Sequence, residues 1–187
     1  NKTMTTLNLS WNDFGQTTGA VECISNGLGS NSTLLKIDLS SCSLKDGGVS
    51  TLARSLGSRS TTLQKLTIGW NSITSTGVSA LLEMMERSSN SITDLDLRRN
   101  HIGNEGANLL ARSLGNNALP NLKRLSLFEC VIGDDGLAAL VSALKQNTSL
   151  QIINLRGHNF GDAGVWMALA ESLPNIKGLQ QLRFTAY

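Results

Sequence analysis

One pattern is repeated along almost the whole chain and constrains its fold more than any other feature. The segments at 66–85, 95–114 and 125–144 read LTIGWNSITSTGVSALLEMM, LDLRRNHIGNEGANLLARSL and LSLFECVIGDDGLAALVSAL, so their apolar residues, a central Asn or Cys and a later Gly fall in register. Spacings of 28 to 30 residues separate the equivalent positions Leu9, Leu39, Ile68, Leu97, Leu127, Leu155 and Phe184. A fixed period of this size indicates a solenoid, in which each repeat packs against its neighbours.

Each repeat changes from strand-like to helix-like spacing. The triplet Leu125-Ser126-Leu127 alternates, which predicts a strand with both leucines on one side. After the Gly, apolar residues at 78, 81, 82 and 85 follow the i, i+3, i+4, i+7 spacing of a helix with one apolar face. In five repeats we expect a hydrogen-bonding residue to cap the helix that starts there: Asp46, Ser75, Asn104, Asp134 and Asp162.

These patterns predict an α/β fold with an inner parallel sheet of about seven strands, backed by outer helices. At about 4.8 Å per strand the sheet would span roughly 29 Å, a short right-handed arc. No linker divides the chain, so we expect residues 1–187 to form one domain of about six full repeats and a C-terminal half repeat. Neither end has a polar capping repeat, which predicts a fragment of a longer protein or end-to-end self-association through exposed strand edges.

The repeat length, the central Asn or Cys, and the segments GDDG at 133–136 and GDAG at 161–164 resemble the ribonuclease-inhibitor type of leucine-rich repeat. That subfamily includes ribonuclease inhibitors, Ran GTPase-activating proteins and the sensing domains of nucleotide-binding leucine-rich-repeat immune receptors, and the repeats are most similar to the last class. The resemblance implies a module that binds a protein ligand on its concave sheet, as the sensing part of an innate-immune-receptor-like or scaffold protein. The alternative that it implies is a regulator of an enzyme or small GTPase.

Several polar residues recur at fixed positions, and we interpret them as structural. Asn12, Asn71 and Asn100 follow the predicted strands, where their amides can bond backbone groups left unpaired at a turn, and His158 holds the same position. One glycine per repeat serves the turn into the helix, at Gly48, Gly77, Gly106, Gly136 and Gly164. The sequence shows no nucleophile–base pair, lone phosphate-binding loop or cluster at metal-ligand spacing. It therefore predicts no enzyme activity, no cofactor and no metal site.

Composition bears on the compartment and on the partners. The formal net charge of +2 favours neither nucleic-acid binding nor an acidic tail, and we find no secretory signal and no apolar run near the roughly 18 residues of a membrane span. Cys42 and Cys130 replace the central Asn, which predicts small buried residues in the reducing cytoplasm. Four glycosylation sequons, at Asn1, Asn8, Asn31 and Asn147, leave an extracellular location as the alternative.

Residues that the repeat does not dictate face away from the core on the inner sheet, and they predict the binding surface. Two of the three Trp, one Phe and five Arg occupy such positions. Aromatic residues and Arg contribute most of the energy at protein interfaces, often ~2 kcal/mol or more each. We expect a protein ligand of unknown identity to contact Trp11, Asp38, Trp70, Asp96, Arg98, Arg99, Phe128, Glu129 and Arg156.

Other interpretations of these residues remain open. Arg and Trp can lie along one another through cation–π contacts and cover the strands without any ligand. Arginines in a row can also bind nucleic acid, but this partner is less favoured because four carboxylates interrupt them: Asp38, Asp94, Asp96 and Glu129. Trp11 can instead shield the N-terminal edge of the sheet, and Trp166, on the predicted outer side, can cover a neighbouring repeat.

Overall fold

A computed structural model describes residues 2–17, 19–57, 62–87 and 91–185 of the chain. Within them, seven three-residue strands form one sheet: β1 Thr6–Asn8, β2 Lys36–Asp38, β3 Lys65–Thr67, β4 Asp94–Asp96, β5 Arg124–Ser126, β6 Ile152–Asn154 and β7 Gln181–Arg183. The helices that follow the strands are α1 Ala20–Gly29, α2 Lys45–Gly57, α3 Ser75–Met85, α4 Gly103–Gly115, α5 Asp134–Leu144 and α6 Ala163–Ser172, with short 3-10 helices at Phe14–Gln16 and Leu173–Asn175. We call each strand and the helix after it a coil.

The strand order and the burial confirm the predicted α/β solenoid. Neighbouring strands are parallel and follow chain order, with Leu66 opposite Leu95 and Leu95 opposite Leu125. These three leucines are at most 2% exposed. The predicted apolar faces of α3 and α5 are also buried, at residues 78, 81, 82, 85, 137, 140, 141 and 144. One core therefore lies between the sheet and the helices, and the other face of the sheet is free.

A column of side chains bonds each coil to the one before it. Asn100 accepts the backbone N–H groups of Asn71 and Ile73 at 2.9 and 3.0 Å, and its amide donates back to a carbonyl of the preceding coil. Asn71 in turn accepts the N–H groups of Cys42 and Leu44 at 3.0 and 3.1 Å. The predicted structural role is confirmed for both residues. We call this column of side chains the ladder. It supplies hydrogen-bond partners that a turn lacks within its own coil.

Cys42 and Cys130 occupy the ladder column with thiols in place of amides. Both are fully buried, and their thiols donate to the carbonyls of Leu9 and Leu97 at 3.2 and 3.1 Å. Burial raises the pKa of the Cys42 thiol above 9.0 and raises that of Cys130 to about 12. The prediction of small buried residues is confirmed, and both thiols stay protonated near neutral pH.

Two of the predicted helix caps act on the following coil and not on their own helix. Asn104 accepts the backbone N–H groups of Gly133 and Gly136 at 2.8 and 3.2 Å, at the start of α5. Asp46 accepts two N–H groups at the start of α3 in the same way, at 2.8 and 3.0 Å. The prediction was wrong here because each residue lies inside the first turn of its own helix and reaches across to the next coil.

The other three predicted caps differ from one another. Asp162 confirms the prediction, since its carboxylate accepts the N–H of Gly164 at 2.7 Å at the start of α6. Thr74, and not Ser75, caps α3 with its hydroxyl. Asp134 lies in the first turn of α5 and accepts an N–H from the next coil at 3.4 Å. Asp46, Asn104 and Asp134 therefore form a second set of hydrogen bonds between coils, in addition to the ladder.

The recurring glycines serve close packing more than turning. A Cβ at Gly106 would lie 2.5 Å from Cγ2 of Ile102, and a Cβ at Gly136 would lie 2.7 Å from Cγ2 of Ile132. Neither glycine has a positive φ, so neither needs the conformational freedom of glycine. Their lack of a side chain lets the first turn of each helix press against the isoleucine before it.

We expect Asn104→Ala to destabilise the domain by about 2 kcal/mol, because two N–H groups at the start of α5 lose their acceptor. The matched control is Asn108→Ala: Asn108 is exposed on the same helix, and its loss should cost less than about 0.5 kcal/mol. Urea unfolding followed by circular dichroism measures both changes. Equal stabilities for the two variants would contradict the link between coils.

Candidate functional site

The free face of the sheet presents side chains in columns that run across the strands. Register places Lys65, Asp94 and Arg124 beside one another on β3, β4 and β5. Backbone pairing continues past the strands, for example from the Arg99 N–H to the Phe128 carbonyl at 2.7 Å. The two residues that follow the equivalent positions Ile68, Leu97, Leu127 and Leu155 are therefore also aligned from coil to coil.

The second of these aligned residues has a left-handed backbone in successive coils. Its φ is 57° at Trp70, 54° at Arg99, 52° at Glu129 and 76° at Gly157. For residues other than glycine this conformation costs on the order of 1–3 kcal/mol and persists only where the surroundings enforce it. Each one directly precedes a ladder residue, namely Asn71, Asn100, Cys130 or His158. The ladder thus holds the turns that carry this column.

Two aromatic rings and two guanidinium groups meet on the free face. The Arg99 guanidinium carbon lies 4.2 Å from the ring centre of Trp70 and 5.6 Å from that of Phe128. Arg99 also donates to the Glu129 carboxylate at 2.9 Å, and the Arg156 guanidinium lies 5.9 Å from Phe128. We call these five residues the aromatic–arginine cluster. Trp70 remains 47% exposed within it.

Two glycines make room for large neighbours on this face. A Cβ at Gly157 would lie 2.4 Å from Cγ of Glu129 and 3.2 Å from the Phe128 ring. A Cβ at Gly69 would lie 2.7 Å from Cγ of Arg98. The lack of a side chain at one coil therefore leaves room for a large side chain of a neighbouring coil.

Next to the cluster, β3 to β7 form a shallow hollow of about 450 Å³. Phe128 lines it together with seven charged residues: Lys65, Asp94, Asp96, Arg98, Arg124, Arg156 and Arg183. We call it the basic hollow. Arg98 pairs with Asp96 at 2.7 Å, and Arg124 donates to both carboxylate oxygens of Asp94. The two carboxylates of the hollow are therefore neutralised by arginines of the same surface.

Seven of the nine predicted binding residues come together on this face: Trp70, Asp96, Arg98, Arg99, Phe128, Glu129 and Arg156. The other two lie towards the N-terminal end. Asp38, on β2, accepts the Ser40 N–H at 2.9 Å, and Trp11 is 79% exposed, so it shields little of the first coil.

Sequence reasoning left Lys65, Arg124 and Arg183 out of the predicted binding residues, although all three line the hollow. They occupy non-leucine positions of β3, β5 and β7. Their recurrence at equivalent surface positions of the repeat was the sequence signal that could have identified them.

Trp166, on α6, belongs to a separate aromatic group. Its ring lies edge-on to Phe160 and Phe184, with ring centres 6.1 and 5.2 Å apart, and its indole N–H donates to the Phe160 carbonyl. The interpretation that Trp166 covers a neighbouring coil is confirmed by its contact with Phe184, which follows β7.

The sequons differ in accessibility. Asn147 is 3% exposed, and its amide donates to the Leu114 carbonyl at 2.9 Å, so a glycan at this position is incompatible with the fold. Asn8 is exposed, whereas Asn31 is half-buried and accepts two backbone N–H groups through its side chain. Asn1 lies outside the described residues. Among those residues, no helix is both long and apolar enough to cross a membrane.

His158 acts as a ladder residue. Its Nε2 accepts the N–H of Cys130 at 3.0 Å, which leaves Nδ1, 3.1 Å from the Leu155 carbonyl, as the donor. Burial lowers the pKa of His158 below 6.5, against the smaller opposing effect of the bond to Leu155. The neutral ring is the form that the ladder needs, because a doubly protonated ring could not accept from Cys130.

This lowered pKa predicts a pH-dependent stability. In the unfolded chain His158 takes up a proton near pH 6.5, whereas the folded chain resists protonation. The contribution of neutral His158 to the free energy of unfolding is therefore complete above pH 6.5 and is lost as the pH falls towards the lower pKa of the folded chain. We expect His158→Asn, which introduces the ladder residue of other coils, to remove this loss, whereas His101→Asn, at an exposed turn, leaves it unchanged. Urea unfolding at several pH values between about 5 and 8 tests this, and parallel pH profiles for wild type and His158→Asn would contradict it.

A protein-family model described as Leucine Rich repeat matches six segments of the chain, at residues 1–17, 30–53, 59–82, 88–111, 118–141 and 146–166. The chain is 35% identical over 144 residues to human NACHT, LRR and PYD domains-containing protein 5, covering 76% of the chain and 12% of that protein. It is 31% identical over 153 residues to mouse ribonuclease inhibitor, covering 80% of the chain and 32% of the inhibitor. The chain thus spans a small part of each relative.

Among solved structures, the fold is similar to the tropomodulin C-terminal domain of Caenorhabditis elegans. The TM-score is 0.64 at 18% identity, covering 83% of this chain and 92% of that one. At this identity the likeness concerns the fold alone.

Proposed function

Because the chain belongs to the leucine-rich repeat family, whose domains are generally non-catalytic modules for protein–protein interaction, we propose that its free sheet face binds a protein ligand through the aromatic–arginine cluster. The observation that carries the proposal is the exposure of Trp70 beside an arginine that is already fixed. Arg99 is held by two rings and by a carboxylate, yet Trp70 keeps 47% of its surface exposed.

Fixing these side chains before binding lowers the entropic cost of association. A mobile arginine loses on the order of 0.5–1.5 kcal/mol when an interface immobilises it. Here Arg99 has lost that freedom on folding, because Trp70, Phe128 and Glu129 define its position. Tryptophan and arginine are also the residues most enriched among those that dominate binding energies.

The same contacts bear on the interpretation that these residues merely cover the strands. A covering role predicts that the aromatic faces are used up by their neighbours. Phe128 meets this expectation, since the guanidinium carbons of Arg99 and Arg156 lie 5.6 and 5.9 Å from its ring centre. Trp70 meets it in part, since Arg99 lies 4.2 Å from its ring centre, but 47% of its surface stays exposed, which supports binding more than covering.

For the wider role, we propose that the chain is the recognition part of a larger protein of the NACHT, LRR and PYD domain type. The 35% identity to one such human protein and its small share of that protein's length support this role. We also propose a reducing, intracellular compartment, supported by the buried thiols of Cys42 and Cys130 and by the buried Asn147 sequon.

A second candidate is regulation of an enzyme, and the 31% identity to a ribonuclease inhibitor supports it. Adding the purified domain to a ribonuclease assay tests the nearest case. Unchanged turnover over a titration of the domain would remove inhibition of that ribonuclease from consideration.

We expect Trp70→Ala and Arg99→Ala each to weaken ligand binding by about 2 kcal/mol, roughly thirtyfold, because each removes a central side chain of the cluster. Proteins captured by the wild-type domain are identified by mass spectrometry, and the affinity of a purified captured protein is then measured by calorimetry.

Arg112→Ala is the matched control, since Arg112 is exposed on α4 away from the sheet. Circular dichroism verifies that all variants are folded. Equal affinities for wild type and both cluster variants would overturn the proposed surface.

A further inference from the structure

The geometry points to an acidic segment of the protein ligand as the occupant of the basic hollow, an inference that rests on the proposed function and extends its surface towards the last strands. The hollow adjoins the aromatic–arginine cluster directly, because Phe128 and Arg156 belong to both. A ligand that contacts Trp70 and continues along the sheet therefore enters the hollow.

The charges of the hollow are unequal. Five cations and two carboxylates line it. Arg98 and Arg124 already pair with Asp96 and Asp94. Lys65, Arg156 and Arg183 have no carboxylate within ion-pair distance in the described parts of the chain, and Arg183 bonds only the neutral side chain of Gln181. Among the described residues, the hollow therefore has three positive charges without a carboxylate partner.

The spacing of these charges suits an extended segment. Lys65 lies on β3, Arg156 follows β6 and Arg183 lies on β7, so they spread across four strand intervals. At about 4.8 Å per interval this distance is roughly 19 Å, which an extended peptide covers with about six residues. Carboxylates match the fork geometry of Arg, so several acidic side chains along such a segment can each meet a cation.

Two features favour an acidic peptide over nucleic acid. A single-stranded nucleic acid binds through bases stacked on open aromatic faces. Phe128 is the one aromatic ring among the described residues that line the hollow, and it has Arg99 and Arg156 near it instead. A phosphate backbone also needs a long positive track, whereas Asp94 and Asp96 lie within this hollow.

The probe for the test is a fluorescein-labelled hexaglutamate peptide, with hexaglutamine and a thymidine oligonucleotide of about 12 nucleotides as comparisons. Fluorescence anisotropy measures binding to the whole chain at about 50 and about 300 mM salt. We expect hexaglutamate to bind and the affinity to fall with salt, whereas hexaglutamine does not bind.

We call the combined change Lys65→Gln, Arg156→Gln and Arg183→Gln the hollow variant, and we expect it to weaken hexaglutamate binding by about tenfold or more. The matched control removes the same charge from exposed positions outside the sheet: Arg54→Gln, Arg112→Gln and Lys145→Gln. An equal loss in both variants means general charge attraction and overturns the inference. If the oligonucleotide binds more tightly than hexaglutamate and the hollow variant loses that binding, the inference is overturned in favour of nucleic acid. If hexaglutamate does not bind, the inference is overturned outright.

The affinity of a captured protein separates this inference from the proposed function. For this comparison the hollow variant keeps Arg156, which also belongs to the aromatic–arginine cluster, and changes only Lys65 and Arg183 to Gln. If Trp70→Ala loses the protein and the hollow variant retains it, the proposed function stands and the inference fails. If both variants retain it, the proposed surface itself fails. Loss of affinity in both variants, with the control variant unaffected, supports both.

Discussion

The structure depends on side chains that complete the hydrogen bonding of a neighbouring coil. The turns after β2, β3 and β5 have backbone N–H groups whose acceptors are Asn71, Asn100 and His158 of the next coil. A buried N–H without an acceptor costs about 1–3 kcal/mol, so each of these turns would be destabilised without the next coil. Asn104 repeats the arrangement at the helix starts. Stability in this array is therefore a property of pairs of coils.

The ladder also determines where the candidate binding residues lie. Trp70 precedes Asn71 and Arg99 precedes Asn100, and both sit in a left-handed conformation that the following bonded amide fixes. A free loop would not hold a large side chain at a positive φ, because other conformations are more favourable. The proposed binding residues Trp70 and Arg99 and the ladder residues Asn71 and Asn100 are thus adjacent in their turns, and the same bonds that join the coils orient this surface.

Sequence periodicity predicted the elements because strand and helix spacing are local properties of one repeat. The ladder was also predictable, since Asn71 and Asn100 recur at one position. The cap at Asp162 was predicted correctly, whereas the roles of Asp46 and Asn104 were not, because these two residues act across coils and that contact depends on how the coils stack. For the same reason the sequence indicated the free residues but not their pairing. That Arg99 would lie between Trp70 and Phe128 follows from three-dimensional register alone.

Local charge is more informative about this surface than the charge of the whole chain. The formal net charge is only +2, yet five cations and two carboxylates gather in one hollow. Asp94 and Asp96 pair with Arg124 and Arg98, so among the described residues of the hollow the positive charge without a carboxylate partner is confined to Lys65, Arg156 and Arg183. If the hollow binds the proposed acidic segment, these separate charges would favour a ligand whose carboxylates match their spacing, whereas a uniformly positive face would attract any anion.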